Sequence, residues 1–382
     1  YSDGYDLNLG DHVFPSVKYK LIHQKCLEEG IATADDFLQP QPAPDEDLLR
    51  VHSREWVRKL KLGKLSIQEI MRLEVPYSPQ FVRACWLSCG GSTLAAQRAL
   101  TDGGGFNFGG GFHHAYPDHG EGFCALNDVA VALRRLQADG AICTAMVVDL
   151  DVHHGNGTAA IFAGDATVFT LSMHQENNYP YPKPPSDLDV GLLDFTGDTD
   201  YLRLLREALD RAFHLFVTEF YPKVVPTTDS AKQSQPGRGE EFIPSAVEGH
   251  PQARPDASEK SGSGRGAQHP PEGFIPPTAE FTPSVSEGTS TTRTAQAKPD
   301  LIYYLAGADP YRQDQLGGLA LTVEGLMERD RIVLDAARSR SIPIAVTFAG
   351  GYARNTADTI QIHTNTILAA RETFRQSRKE PC

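Results

Sequence analysis

Val147-Val148-Asp149-Leu150-Asp151-Val152-His153-His154-Gly155-Asn156-Gly157 is the stretch from which the rest of the chain can be read. Apolar residues lead into carboxylate, imidazole and glycine at close spacing, the composition of a buried strand that ends in a metal site. An Asp and a His two residues apart on an extended segment project from one side of the chain, so Asp151 and His153 can reach one ion. Charge at the end of a buried strand is costly unless it is paired or metal-bound. A third ligand, an acid/base group and a substrate channel must come from elsewhere in the chain.

Working outward, the apolar runs 145–150, 167–171, 301–305 and 343–348 read as buried strands. Helical spacing covers 17–30, 45–60, 66–73, 81–100, 127–136, 158–162, 200–221 and 358–375. Strands alternating with helices predict an α/β fold, a three-layer αβα arrangement around a mostly parallel sheet. In such sheets ligands bind beyond the carboxyl ends of the strands. Asp309, after the strand 301–305, and Tyr352, after 343–348, would then join Asp151 and His153 at one edge. Asp151, His153 and Asp309 form a three-ligand set that leaves positions open for water and substrate, as a catalytic zinc requires. Six glycines between Gly103 and Gly111 precede His113-His114, a pair that titrates near neutrality and suits proton transfer. Asp149 could fix the tautomer of one of these histidines, and the Tyr352 hydroxyl could donate to a tetrahedral oxyanion.

The composition narrows the function classes. A formal charge of −13 disfavours direct nucleic-acid binding and suits a cationic partner such as a lysine-rich peptide. No apolar run approaches the roughly 18 residues of a membrane helix. The six cysteines do not form a disulfide framework. They read as reduced core thiols of an intracellular protein, with cytoplasm and nucleus not distinguished. Tyr1 stands first with no basic, apolar leader, which reads as a trimmed start. Residues 227–298 are dominated by Pro, Gly, Ser, Thr and charge, and read as a disordered insertion and a candidate docking segment for partners. The segments 1–226 and 299–382 would then form one catalytic domain.

Five motifs carry a resemblance: Gly110-Gly111-Phe112-His113-His114-Ala115, Gly122-Phe123-Cys124-Ala125-Leu126-Asn127, the opening stretch from Val148, Gly307-Ala308-Asp309-Pro310, and Gly350-Gly351-Tyr352. They resemble the zinc-dependent histone deacetylases and their bacterial relatives, of the arginase/deacetylase fold. The wording around Ser172-Met173-His174-Gln175 is similar to the bacterial and class IV-like branch. The resemblance implies hydrolysis of the amide of acyl-lysine, with one zinc on Asp151, His153 and Asp309. It makes His114 the principal general base and acid, His113 its electrostatic partner held by Asp149, and Tyr352 the oxyanion donor. Gly122, Phe123 and Leu316 would line the acyl-lysine tube. One structural potassium would sit on oxygens of Asp149, Asp151, His153, Ser172 and Met173, and a second near Phe162, Asp165 and Val168.

Two positions depart from the pattern. Asn156 stands where many members place a carboxylate behind His114, and Ala349 stands where a third glycine is frequent. The same chemistry could serve an acetylpolyamine or another small amide. A binuclear manganese ureohydrolase would need more bridging Asp and His ligands, and a non-catalytic scaffold would act through 227–298.

Overall fold

In a computed structural model, residues 1–7, 9–224 and 297–376 are described. The insertion expected over 227–298 falls, apart from Ala297 and Lys298, outside them. The described helices are α1 (Lys18–Glu28), α2 (Asp45–Leu48), α3 (Arg54–Leu62), α4 (Ile67–Leu73), α5 (Pro79–Asp102), α6 (Asp128–Ala138), α7 (Asn156–Phe162), α8 (Asp198–Leu215), α9 (Tyr221–Val224), α10 (Val323–Ser339) and α11 (Thr356–Gln376). The strands are β1 (Gly104–Asn107), β2 (Ala145–Asp149), β3 (Val168–Gln175), β4 (Leu188–Leu192), β5 (Leu301–Leu305) and β6 (Ile344–Thr347). All neighbouring pairs in the sheet, of order β1-β6-β5-β2-β3-β4, run parallel.

Every residue of β2 is buried, because the sheet is covered on both sides. Met146 and Val148 pack into one core with α8, α10 and α11, while Ala145 and Val147 pack into another with α5 and α6. This period of two is the three-layer αβα architecture seen at one strand. From β2 the chain winds outward through β3 and β4, and it later returns on β2's other side as β5. The carboxyl ends of β2 and β5 therefore flank a switch point, the place where open parallel sheets form a crevice.

Local chemistry explains where the elements differ from expectation. The helix expected over 45–60 is two helices, since Ser53 is extended and its hydroxyl caps α3 by accepting from Trp56 N–H. The strand and helix spacing in the sequence leaves out β1, β4 and α10. β1 consists of Gly104, Gly105, Phe106 and Asn107, a composition that disfavours strand. Pairing with β6 and close contact with α5 override it, because a Cβ on Gly105 would overlap the Ala95 carbonyl. Gly91 in α5 likewise leaves room for Tyr5 and Asn107, whose side chains hydrogen-bond at 2.8 Å. Among the described residues no helix is long and apolar enough to cross a membrane.

Candidate active site

Beyond β2 the chain stays against β5, with Leu150 N–H donating to the Leu305 carbonyl at 3.2 Å. Each following carboxylate then takes backbone donors that fix its rotamer. Asp151 Oδ1 accepts from His153 N–H at 2.9 Å and Oδ2 from Gly350 N–H at 2.7 Å. Asp309 Oδ1 accepts from Val152 N–H at 3.0 Å. Gly350 must be glycine, because a Cβ there would overlap the Asp309 carboxylate.

Asp151, His153 and Asp309 present one ligand atom each within 4.8 Å of one another, and all three are buried. His153 Nδ1 lies 3.0 Å from Asp151 and 3.4 Å from Asp309 Oδ2, and Oδ2 makes no hydrogen bond. Burial and the Asp151 charge together push the Asp309 carboxyl up. Two carboxylates forced together, one oxygen left unsatisfied, are costly without a cation. A His and two Asp converging, with Asp151 on a cavity wall, is a donor set that a divalent ion takes, so these residues fit a metal.

His113 and His114 lie beside this group. His113 Nδ1 is 2.7 Å from Asp149 Oδ2, and the two Nε2 atoms of the pair are 3.2 Å apart. Burial alone would lower His113, but Asp149 and Asp151 outweigh it and raise it to about 9. His114 Nδ1 is 2.7 Å from Asn156 Oδ1. With no carboxylate against it, His114 is held well below the ordinary imidazole range by burial and by the neighbouring His113 and His153. The glycine-rich loop that delivers the pair is pinned by Asp128, whose carboxylate accepts from Gly111 and Phe112 N–H. The cap of α6 is thus Asn127, accepting from Ala130 N–H, and Asp128 is freed for the loop.

Tyr352 is buried with its ring 5.9 Å from Phe123 and 6.4 Å from His153. Burial and the Asp151 and Asp309 charges raise its hydroxyl well above the ordinary phenol range, so it stays a donor. A cavity of about 20 Å³ opens between the His pair, Asp151, Gly122, Phe123 and Tyr352. Phe123 adopts φ 68°, unusual for a bulky residue, and backbone bonds from Gly122 to Arg72 and from Phe123 to Leu73 hold it there. Leu316 stands outside the cavity, half-buried against the apolar cluster that contains Tyr352. A larger cavity of about 590 Å³, between the N-terminal segment, α5, β1 and α11, touches none of these groups.

Two contributors carry no local sequence signal, and a third comes from the stretch 177–185, whose Tyr, Pro and Asn content marks a loop at the rim of the site. Asp314 holds Tyr352 N–H with one oxygen and Leu316 and Gly317 N–H with the other. Lys18 is fully buried, donates to the Ala349 carbonyl at 2.9 Å and lies 5.7 Å from the Tyr352 ring. Tyr179 sets its ring 4.9 Å from His114.

Of the residues expected around potassium, Ser172 is the register partner of Asp149 across β2 and β3, with Met173 next to it. Phe162, Asp165 and Val168 lie along the α7–β3 connection, where the Asp165 carboxylate is taken by Thr167 and Arg134. A second His/Asp group, His154, His174 and Asp189, is already satisfied in part: Asp189 accepts from Ser186 N–H and faces His154 Nε2 at 3.2 Å.

The fold is shared with solved structures. An HDAC homolog from Aquifex aeolicus superposes with a TM-score of 0.63 at 18% identity, covering 96% of this chain and 84% of that one. An uncharacterized protein of Picosynechococcus sp. is 33% identical over 95% of this chain and 94% of its own length. Histone deacetylase 2 of Arabidopsis thaliana is 25% identical over 94% of this chain and 76% of its own. The histone deacetylase domain model matches residues 12–228 and 278–367, two segments that hold every strand-end residue of the site. With that match across both halves and a relative one-third identical along almost the whole length, the chain belongs to the histone deacetylase family.

Proposed function

We propose that the chain is a zinc-dependent lysine deacylase that hydrolyses the amide of acetyl-lysine in proteins or peptides. The observation that carries this reading is the buried Asp151, His153 and Asp309 group, whose Asp151 lines a cavity that the His113–His114 pair and Tyr352 also line. These three residues would hold zinc, which supplies a Lewis acid that polarises the amide carbonyl and acidifies water. His114, supported at Nδ1 by Asn156, takes the proton of the attacking water and returns it to the departing lysine amine. His113, carried by Asp149, contributes positive charge beside it. Tyr352 donates its O–H to the oxyanion that develops on the amide oxygen, from a rotamer fixed by ring packing against Phe123. Gly122 and Phe123 form the tube wall around the aliphatic stem, and a net charge of −13 suits a substrate rich in lysine.

The test is acetate release from an acetyl-lysine peptide by the full chain, before and after metal removal, with acetylated spermidine in parallel. Peptide turnover that disappears with chelation and returns with zinc supports the reading. Turnover indifferent to chelation, or confined to acetylspermidine, overturns the proposed chemistry or the proposed substrate respectively.

A further inference from the structure

Behind His114 the hydrogen-bond chain continues outward to a residue that no motif singles out. Glu121 Oε1 accepts from Asn156 Nδ2 at 2.6 Å and from the Tyr179 hydroxyl at 2.8 Å, while its Oε2 lies 3.6 Å from His119 Nε2. Burial alone would raise Glu121, but the bonds from His119, Tyr179 and Asn156 outweigh it and hold the carboxyl below its ordinary value. The group is therefore an anion that can only accept.

That fixes the rest of the chain by elimination. Asn156 must turn its NH₂ toward Glu121, so its oxygen faces His114. An amide oxygen only accepts, so His114 Nδ1 must carry the proton and Nε2 is the bare atom. A flipped amide would demand the opposite tautomer, with a proton already on the atom that must receive one.

We infer that Glu121 is a positioning residue for the general base: it orients the Asn156 amide, and the amide sets the His114 tautomer. The inference rests on the assignment of His114 as base. Through Tyr179 the same oxygen also ties the base to the channel wall, since that ring packs edge-on to His114 at 80°. Asn156 at this position is thus not a weakened carboxylate but half of an amide–carboxylate unit.

The test uses the full chain with ¹⁵N-labelled histidine, reading the His114 ring nitrogens by long-range ¹H–¹⁵N correlation and kcat on an acetyl-lysine peptide. Wild type should show protonated Nδ1. Glu121→Ala should mix the tautomers and lower kcat by roughly tenfold or more, and Glu121→Gln, which keeps an accepting oxygen, should recover both. Asn156→Asp sets two carboxylates against each other and should also lose activity. Adding Glu121→Gln, whose amide donates to Asp, should restore it. An unmixed tautomer with kcat within twofold in Glu121→Ala, or no rescue of Asn156→Asp, overturns the inference. The tautomer readout needs no turnover: protonated Nδ1 in an inactive wild type supports this inference and contradicts the deacylase reading.

Discussion

Asp309 shows how a single side chain can be a liability in the folded protein and necessary at the site. It is fully buried, it crowds Asp151, and one of its oxygens has no hydrogen bond. Asp309→Asn keeps an oxygen for Val152 N–H and removes one of two repelling charges. The Tm of the metal-free protein should rise in a thermal scan, while zinc affinity should fall by roughly a hundredfold or more. A variant that loses stability without metal and keeps zinc affinity would make Asp309 structural. The residues brought together at the switch point were legible because each lies just past a buried strand: Asp151, His153, Asp309 and Tyr352, the last two close to glycine, with the His pair behind its glycine loop. Lys18, Asp314 and Glu121 were not. Lys18 meets Ala349 across 331 residues and Asp314 meets Tyr352 across 38, with no local pattern to mark either contact.

At the scale of elements, His52 joins three pieces of structure at the break between α2 and α3. Its Nε2 accepts from Asn127 N–H at 3.0 Å, and Nδ1 donates to the Tyr116 carbonyl at 3.0 Å. Burial lowers its pKa from 6.5 to about 4 despite the bond to Tyr116. The unfolded chain therefore binds a proton before the folded one as pH falls. The stability His52 contributes is fully present above 6.5 and is lost as pH drops toward 4, amounting to about 3 kcal/mol. His52→Gln keeps an acceptor and a donor but does not titrate, so its Tm should fall less steeply between these pH values. Identical slopes in the two proteins would exclude this role. The same junction explains a misread element: 45–60 has helical spacing throughout, but the Ser53 cap starts a new helix. β1 and β4 were illegible because glycine and single charges break their patterns, and only pairing with β6 and β3 makes them strands.

At the scale of the molecule, the α/β class and the location of the site follow from strand–helix alternation together with the polar strand ends. The strand order adds what alternation cannot, that β2 and β5 are neighbours, and so Asp151 and Asp309 meet. The histone deacetylase match runs to residue 228 and resumes at 278, which brackets part of the segment read from composition as an insertion. All strand ends of the switch point must act together for the proposed chemistry, and Tyr352, delivered by β6, is the contributor that needs no metal to be recognised. The most direct measurement is acetate release from an acetyl-lysine peptide by zinc-loaded Tyr352→Phe against wild type, with bound zinc quantified in both. Removing an oxyanion donor should lower kcat by roughly a hundredfold or more, with zinc content unchanged. Full activity in Tyr352→Phe would contradict the mechanism.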